Sequence, residues 1–230
     1  MTIIIHGLFM STGTAKVLAT LLEKEVDDYI LRPVDIFSLA HKKPEYLALQ
    51  PFGLIPAIQD GDLTLFESRA IARYICDKYA GQGTALLGKS LVERAKVGQW
   101  LEVESHNFHP PISTLIFELV VKSYKGLITD ESAVEANLSK LSNVLDVYEQ
   151  HLSTNMYLAG NFYSLADLSH VSFLHYLINV AHRGEVVTSK KHVKAWWENI
   201  SSRPAWKGWR AGLASPEFQL AGSKLNGKVV

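Results

Sequence analysis

The order of apolar and polar residues divides the chain into a first part of alternating strands and helices and a second part that is helical. Residues 2–6 form a β-branched apolar run, residues 12–25 carry apolar side chains at helical spacing, and residues 29–34 form a second apolar run. This order predicts a parallel pair of strands with a right-handed crossover. Two further short strands, residues 57–59 and 63–66, are predicted to be joined by a turn at Asp60-Gly61-Asp62.

Beyond a small, flexible segment at residues 81–84, the periodicity is helical. The clearest helix has apolar residues at every third or fourth position: Val134, Leu138, Leu141, Leu145, Tyr148 and Leu152. Residues 112–121 and 165–181 are apolar nearly all round and are predicted to be central and buried. We therefore predict an α/β domain over residues 1–80, a linker over 81–89 and an all-α domain over 90–230.

A proline, a hairpin and a helix start follow one another closely in the first domain. Pro56 has no N–H to give to a sheet and restricts Ile55 to extended geometry, so Leu54 and Ile55 are predicted to present free main-chain groups. An extended peptide can pair with such groups. Ser68 is a good N-cap for the next helix, whose first N–H groups attract a carboxylate. With Glu67 available for an ammonium group, the predicted ligand is a small peptide-like molecule.

Composition and charge narrow the function class without identifying it. The chain has 230 residues and 47% hydrophobic content, which is ample for a packed core. Its 23 basic and 23 acidic residues give no net charge, so neither nucleic acid nor an anionic membrane is a predicted partner. The amino terminus lacks the features of a signal peptide, and the cytoplasm is the predicted location. The single cysteine, Cys76, excludes an intrachain disulfide and a CxxC redox pair.

The proline-containing segment resembles the glutathione-binding half of plant glutathione transferases, in which a cis proline, an acidic residue and a serine occur in this order. The amino-terminal stretch HGLFMSTGTAKVLATLLEK is similar to the phi class, and its matching residues are Gly7, Ser11, Thr14, Lys16, Val17 and Leu18. Residues 41–53 and 157–170 extend the resemblance into both halves of the chain. It implies a thioredoxin-like α/β domain followed by an all-α helical-bundle domain, which is the glutathione transferase fold, and it implies a homodimer.

The resemblance also implies a chemical role for Ser11. Its hydroxyl would donate a hydrogen bond to the sulfur of glutathione, which lowers the thiol pKa and raises the fraction of thiolate. On local sequence alone, Ser11, Thr12 and Thr14 can each cap the first helix instead. No histidine and acid are spaced around Ser11 to form a triad, so a nucleophilic role is not predicted.

The remaining glutathione contacts are assigned by the same resemblance. His41 and Lys42 would meet the glycine carboxylate, Ile55 held by Pro56 would pair with the cysteinyl part, Glu67 would accept the ammonium, and Ser68 would bind the adjacent carboxylate. Leu54 stands where these proteins usually carry glutamine. Its side chain lacks a hydrogen-bonding group, and weaker glutathione binding is the expected result.

The implied function is an enzyme that conjugates the glutathione thiolate to hydrophobic electrophiles, with glutathione as co-substrate and no cofactor. Two alternatives stay open: a glutathione-dependent peroxidase acting on organic hydroperoxides, and a non-catalytic carrier of hydrophobic ligands on the same scaffold. The electrophile pocket is predicted between the two domains and would be lined by apolar residues facing Ser11. The candidates are Phe9, Met10, Ile36, Phe108, Ile112, Phe117 and Tyr176.

Other clusters of polar or aromatic residues receive structural interpretations. His106 and His109 share a face with Glu102, but no further ligand completes a four-coordinate site, so no metal is predicted. The four tryptophans between residues 196 and 209 are predicted to pack in a core. The arrangement of Ser164 and Asp167 is typical of a capping box before an apolar helix and predicts a role in folding.

Overall fold

The computed structural model, which describes residues 1–213, divides into two compact units. The first contains residues 1–85 together with residues 203–213, and the second contains residues 86–202. The observed division after Ala85 lies within the predicted linker at 81–89. The predicted helical domain included residues 203–213, however, and these cluster with the first unit because the last described helix packs against the first helix of the chain.

The first unit is built on a four-stranded mixed sheet. Its strands are β1 (Ile3–Gly7), β2 (Tyr29–Pro33), β3 (Ala57–Asp60) and β4 (Leu63–Phe66), in the spatial order β2-β1-β3-β4. The β1 and β2 strands are parallel, whereas β3 pairs antiparallel with both β1 and β4. Burial alternates along β1, where Ile3 and Ile5 are fully buried, so one face of the strand contributes to the core. The four predicted strands are confirmed.

Three helices of the first unit alternate with these strands along the chain. They are α1 (Thr12–Glu23), α2 (Pro44–Leu47), which follows a short 3-10 turn at Ala40–Lys42, and α3 (Ser68–Lys78). Along α1 the apolar residues Val17, Leu18 and Leu21 are buried, as their spacing predicts. This helix packs against α3.

The second unit is helical, as predicted. Its helices are α4 (Leu91–Val103), α5 (His109–Ile116), α6 (Lys122–Tyr124), α7 (Glu131–Leu152), α8 (Leu165–His175), α9 (Glu185–Thr188) and α10 (Lys191–Ser201). Short π-helical turns continue α4, α5 and α8. Phe117 begins the second of these turns and is 44% exposed, so the prediction of burial all round over 112–121 is wrong at this residue. The extra residue in a π turn shifts side chains around the helix.

Asp167 holds the start of α8 inside the second unit. Its fully buried carboxylate accepts hydrogen bonds from the N–H groups of Leu158 at 3.0 Å and Ser164 at 2.9 Å. The Ser164 hydroxyl donates at 2.7 Å and the Trp196 Nε1 at 2.9 Å. Every residue of α8 is buried, so these bonds satisfy donors that water cannot reach. The predicted capping arrangement is confirmed.

The last described helix, α11 (Pro204–Leu213), returns to the first unit and packs against α1. Trp206 and Trp209 on this helix are 3% and 0% exposed. Trp196 and Trp197 on α10 are buried in the second unit. The prediction that the tryptophans are buried is therefore confirmed, and they are divided between the two units.

Candidate functional site

The Ile55–Pro56 peptide bond is cis and precedes β3. Neither main-chain group of Ile55 makes a hydrogen bond within residues 1–213. The carbonyl of Leu54, in contrast, accepts a hydrogen bond from the Tyr46 hydroxyl at 2.7 Å. Burial raises the pKa of Tyr46 to about 12, so its hydroxyl stays protonated as the donor. The prediction of free main-chain groups is therefore wrong for the Leu54 carbonyl, and Ile55 is the residue whose backbone is open to an extended ligand.

Ser11 ends a tight turn after β1 and occupies the N-cap position of α1. Its N–H donates to the Leu8 carbonyl at 2.9 Å, and its carbonyl accepts from the Ala15 N–H at 2.8 Å. The half-buried side chain makes no capping hydrogen bond to the first turn of the helix. The capping interpretation is therefore not realised for this hydroxyl. It is held at the positive end of a helix dipole and is available to a ligand.

The two neighbouring threonines differ in their access to a ligand. Thr14 is fully buried, and a Cβ added at Gly7 would lie 2.5 Å from its Oγ1. Gly7 thus makes room for Thr14 under the end of β1. Thr12 is half-buried and directly follows Ser11. Of these two threonines, only Thr12 has exposed surface.

Gly13 brings the first turn of α1 against the cis-proline loop and the start of α3. A Cβ added there would lie 3.0 Å from Pro56 Cδ, 3.1 Å from the Ile55 carbonyl oxygen and 3.6 Å from Ser68 Cβ. The amino termini of α1 and α3 therefore meet at one place, and both favour negative charge there. Sequence reasoning missed Gly13. The available signal was an isolated glycine in the first turn of a predicted helix, which usually has a packing reason.

Glu67 and Ser68 form the start of α3. The helix begins at Ser68 and its N-cap is Glu67, so the prediction of Ser68 as N-cap is wrong by one residue. Glu67 has φ 70° and ψ 110°, and this turns the chain into the helix directly after it. Its exposed carboxylate makes no capping hydrogen bond. An acidic side chain and the N–H groups of a helix start thus lie side by side.

His41 and Lys42 lie in the 3-10 turn before α2. The Lys42 Nζ donates to the Phe52 carbonyl at 3.1 Å, and Gly53 has a positive φ of 59° close to the same amine. Lys42 is therefore held against the turn that leads into the cis-proline loop. His41 is half-buried. Binding of a ligand carboxylate by these two residues stays a prediction.

Residues of the predicted apolar pocket occur in both units. Phe9 is buried and Met10 and Ile36 are half-buried in the first unit; the second unit holds Phe108, Ile112, Phe117 and Tyr176. Phe108 and Ile112 have no exposed surface, and the Phe108 ring packs against Tyr148 and His170 in the core. Tyr176 is 7% exposed. The pocket itself stays a prediction.

Neither a metal cluster nor a membrane span is found in residues 1–213. No group of three His, Cys, Asp or Glu side chains in this range could hold a metal ion. His106 Nδ1 lies 2.9 Å from the Glu102 carbonyl oxygen, and the His109 ring packs against Phe173 with centroids 5.1 Å apart. No helix in the same range combines the length and hydropathy needed to cross a bilayer.

Two family models match the chain. The model for the glutathione S-transferase N-terminal domain matches residues 10–78, and that for the C-terminal domain matches residues 108–204. Glutathione S-transferase F9 of Arabidopsis thaliana is 49% identical over 192 residues, which are 84% of this chain and 89% of that protein.

Solved structures agree with these matches. Glutathione transferase F7 from Populus trichocarpa is 46% identical with a TM-score of 0.88 over 93% of this chain and 100% of that chain. Glutathione S-transferase I from mais, solved in complex with an atrazine glutathione conjugate, is 38% identical with a TM-score of 0.81 over 92% of this chain and 97% of that chain.

Proposed function

Because the chain belongs to the glutathione S-transferase family, and within it to the phi class of plants, we propose that Ser11 stabilises the thiolate of bound glutathione for attack on hydrophobic electrophiles. One observation carries this proposal: Ser11 occupies the N-cap position of α1 with a hydroxyl that does not cap the helix. The cis-proline loop, in which the main-chain groups of Ile55 make no hydrogen bond within residues 1–213, lies against the same helix turn through Gly13.

The peptide part of glutathione is assigned to the groups around this turn. The main chain of Ile55 pairs with the cysteinyl residue, which places the sulfur toward α1. Glu67 accepts the γ-glutamyl ammonium, and Ser68 with the N–H groups of α3 binds the neighbouring carboxylate. His41 and Lys42 bind the glycine carboxylate at the other end of the ligand. The ammonium of the ligand thus meets a carboxylate, and its two carboxylates meet N–H donors or basic side chains.

Ser11 acts as a hydrogen-bond donor that keeps its own proton. A free thiol has a pKa of about 8.5, so only a small part is ionised at neutral pH. A donor directed at sulfur and the positive end of α1 both favour the charged form. The thiol proton leaves to solvent, the sulfur forms a bond to the electrophilic carbon, and a leaving group departs with its electron pair when the substrate carries one.

Hydrophobic electrophiles are the proposed second substrates. The mais relative was solved with an atrazine glutathione conjugate, in which glutathione carries a hydrophobic group. For this chain the direct measurement is thioether formation from glutathione and an aryl halide. An assay with glutathione and an organic hydroperoxide measures the alternative peroxidase activity. Turnover with neither substrate, despite tight glutathione binding, would favour the carrier interpretation.

Ser11→Ala tests the proposed role of the serine. The variant should bind glutathione, while the pKa of the bound thiol rises by about one to two units toward 8.5. The thiolate fraction and turnover near neutral pH should fall about ten- to a hundredfold and recover partly at higher pH. The ultraviolet absorbance of the thiolate reports the titration directly.

Thr12→Ala is the matched control, because it removes the neighbouring half-buried hydroxyl from the same turn. Its bound thiol should titrate like that of the parent protein. Equal titration midpoints for Ser11→Ala and the parent would overturn the role of Ser11. A shift found only in Thr12→Ala would assign activation to Thr12.

A further inference from the structure

The carboxyl end of α1 is fixed to the segment that begins α11. Glu23, the last residue of α1, is 6% exposed. Its two carboxylate oxygens accept hydrogen bonds from Nε and Nη2 of Arg203, both at 2.6 Å. The Thr84 hydroxyl donates to the same carboxylate at 2.7 Å. A bidentate pair of this kind is both strong and directional. It therefore restricts the position of the start of α11 relative to the end of α1.

The turn that precedes α1 contacts the same helix, α11, through aromatic packing. The ring of Phe9 stacks on Trp209 with centroids 5.5 Å apart and planes at 20°. Trp209 in turn stacks on Trp206, with centroids 4.4 Å apart. All three side chains are at least 97% buried. Such a stack has large apolar area and a defined geometry, so it restricts where Phe9 can lie.

Phe9 lies inside the turn that ends at Ser11. The Ser11 N–H closes this turn on the Leu8 carbonyl at 2.9 Å. Phe9 is two residues from Ser11 within this hydrogen-bonded turn, so we expect a displacement of Phe9 to displace Ser11 as well.

We propose that α11 is a positioning element for the catalytic turn and that Trp209, acting through Phe9, holds the Ser11 hydroxyl in line with the glutathione sulfur. The inference rests on the function proposed for Ser11. Hydrogen bonds weaken steeply as their angle bends, so small movements of the turn reduce thiolate stabilisation. Ile55, Glu67 and Ser68 belong to other elements and keep their places. Loss of the stack should therefore impair turnover more than glutathione binding.

Trp209→Leu and Phe9→Leu test the proposal, because each variant removes one of the two rings of the Phe9–Trp209 stack. Each variant should raise the pKa of bound glutathione by about half to one unit and lower turnover near neutral pH by about three- to tenfold. The KM for glutathione should stay within about twofold, since its peptide contacts are intact. Amide hydrogen exchange should increase in residues 8–12. Trp209→Phe, which keeps an aromatic ring, should restore most of the parent behaviour.

Trp197→Leu is the control for a general loss of stability. Trp197 is 7% exposed and lies on α10 in the second unit. This variant should melt at a lower temperature, with the thiol pKa and exchange in residues 8–12 unchanged. If Trp209→Leu does not fold, Phe9→Leu and Trp209→Phe provide the same comparison.

Ser11→Ala, measured in the same series, distinguishes two kinds of failure. A thiol pKa that rises in Ser11→Ala but stays at the parent value in Trp209→Leu and Phe9→Leu would overturn the positioning role alone. A thiol pKa that does not rise in Ser11→Ala would overturn the function proposed for Ser11 and the positioning role with it.

Discussion

Glu67 combines an unusual backbone with an exposed charge. A positive φ in a residue other than glycine costs about 1–3 kcal/mol, which the surrounding structure must compensate. The strand β4 ends directly before it and α3 begins directly after it, so both neighbours are fixed. The result is a carboxylate that stands beside the first N–H groups of α3. An amino-acid headgroup, with an ammonium and a carboxylate on one carbon, matches this pair of groups.

Glu67→Gln should weaken glutathione binding while leaving the fold unchanged. The loss of one hydrogen bond between charged groups is worth about 1.5–3 kcal/mol, which corresponds to about a ten- to hundredfold higher Kd. Calorimetric titration measures it. A glutathione analogue without the amino group is the control and should bind the parent and the variant equally. An equal loss with this analogue would mean that Glu67 acts on the backbone rather than on the ammonium.

Four helices of the second unit share one feature at their starts, a carboxylate that accepts hydrogen bonds from main-chain N–H groups. It is supplied by Glu93 for α4, Asp130 for α7, Asp167 for α8 and Glu149 for α10. The degree of burial decides whether the pKa of the carboxyl group is lowered or raised. Hydrogen bonds from main-chain N–H groups lower the pKa of the half-buried Glu93, whereas burial raises the pKa of Asp167 despite its donors. The same geometry thus has opposite consequences for the charge.

Glu149→Gln should reduce stability at neutral pH more than in acid. Glu149 accepts N–H bonds from His192 and Val193, each at 2.9 Å, and a side-chain bond from His192. Burial alone would raise its pKa, but these hydrogen bonds outweigh burial and lower it. A lowered pKa stabilises the fold above the unfolded value of about 4.3, and this contribution is lost as pH falls through the folded value.

Urea unfolding of both proteins at neutral pH and in the acid range measures this difference. The stability gap between parent and variant should shrink as pH falls. Asp146→Asn is the control, because Asp146 pairs with Lys190 as a 62% exposed side chain and surface pairs contribute little. A gap of equal size at all pH values would show that Glu149 stabilises α10 without its charge.

The contact of α1 with the cis-proline loop depends on Gly13. In Gly13→Ala the new Cβ would lie 3.0 Å from Pro56 and 3.1 Å from the Ile55 carbonyl, both closer than ordinary contact. Such overpacking typically costs about 1–3 kcal/mol, so the melting temperature should fall. Because the shift displaces Ile55, the KM for glutathione should rise as well.

Gly98→Ala is the matched control, since Gly98 lies within α4 and an added Cβ there meets no atom within 4 Å. Alanine in a helix interior is favoured over glycine by about 0.5–1 kcal/mol, so this variant should be more stable. An unchanged KM and melting temperature in Gly13→Ala would show that the loop moves away at little cost.

At the scale of the whole molecule, periodicity predicts elements better than it predicts their partners. The strands, α1 and α7 follow from apolar spacing, and the fold class follows from the resemblance; both are confirmed. The tryptophans of α11 indicate a buried face, but the pattern does not say which helix covers it. Arg203 and Glu23 form a hydrogen bond although they are 180 positions apart in the sequence. A local pattern of residues does not predict such a long-range pair. Gly13 was missed for the same reason, because its neighbours come from distant loops.

The candidate site and the most deeply buried capping network belong to different units, so stability and chemistry can be tested separately. Ser11, Ile55 and Glu67 belong to the first unit, and the network of Asp167 belongs to the second. Substitutions that remove hydrogen bonds of that network should therefore reduce the amount of folded protein without changing the pKa of bound glutathione. The Asp167 carboxylate is suitable for this test because its donors come from three different residues.

Asp167→Ala should lower the free energy of unfolding by at least about 2 kcal/mol, since each buried donor left without an acceptor costs about 1–3 kcal/mol. Asp167→Asn keeps one acceptor oxygen and should cost less. In both variants, turnover per folded molecule and the pKa of bound glutathione should match the parent. Thermal unfolding and active-site titration measure the two quantities independently. A large fall in turnover at an unchanged melting temperature would instead place Asp167 in the chemistry of the site.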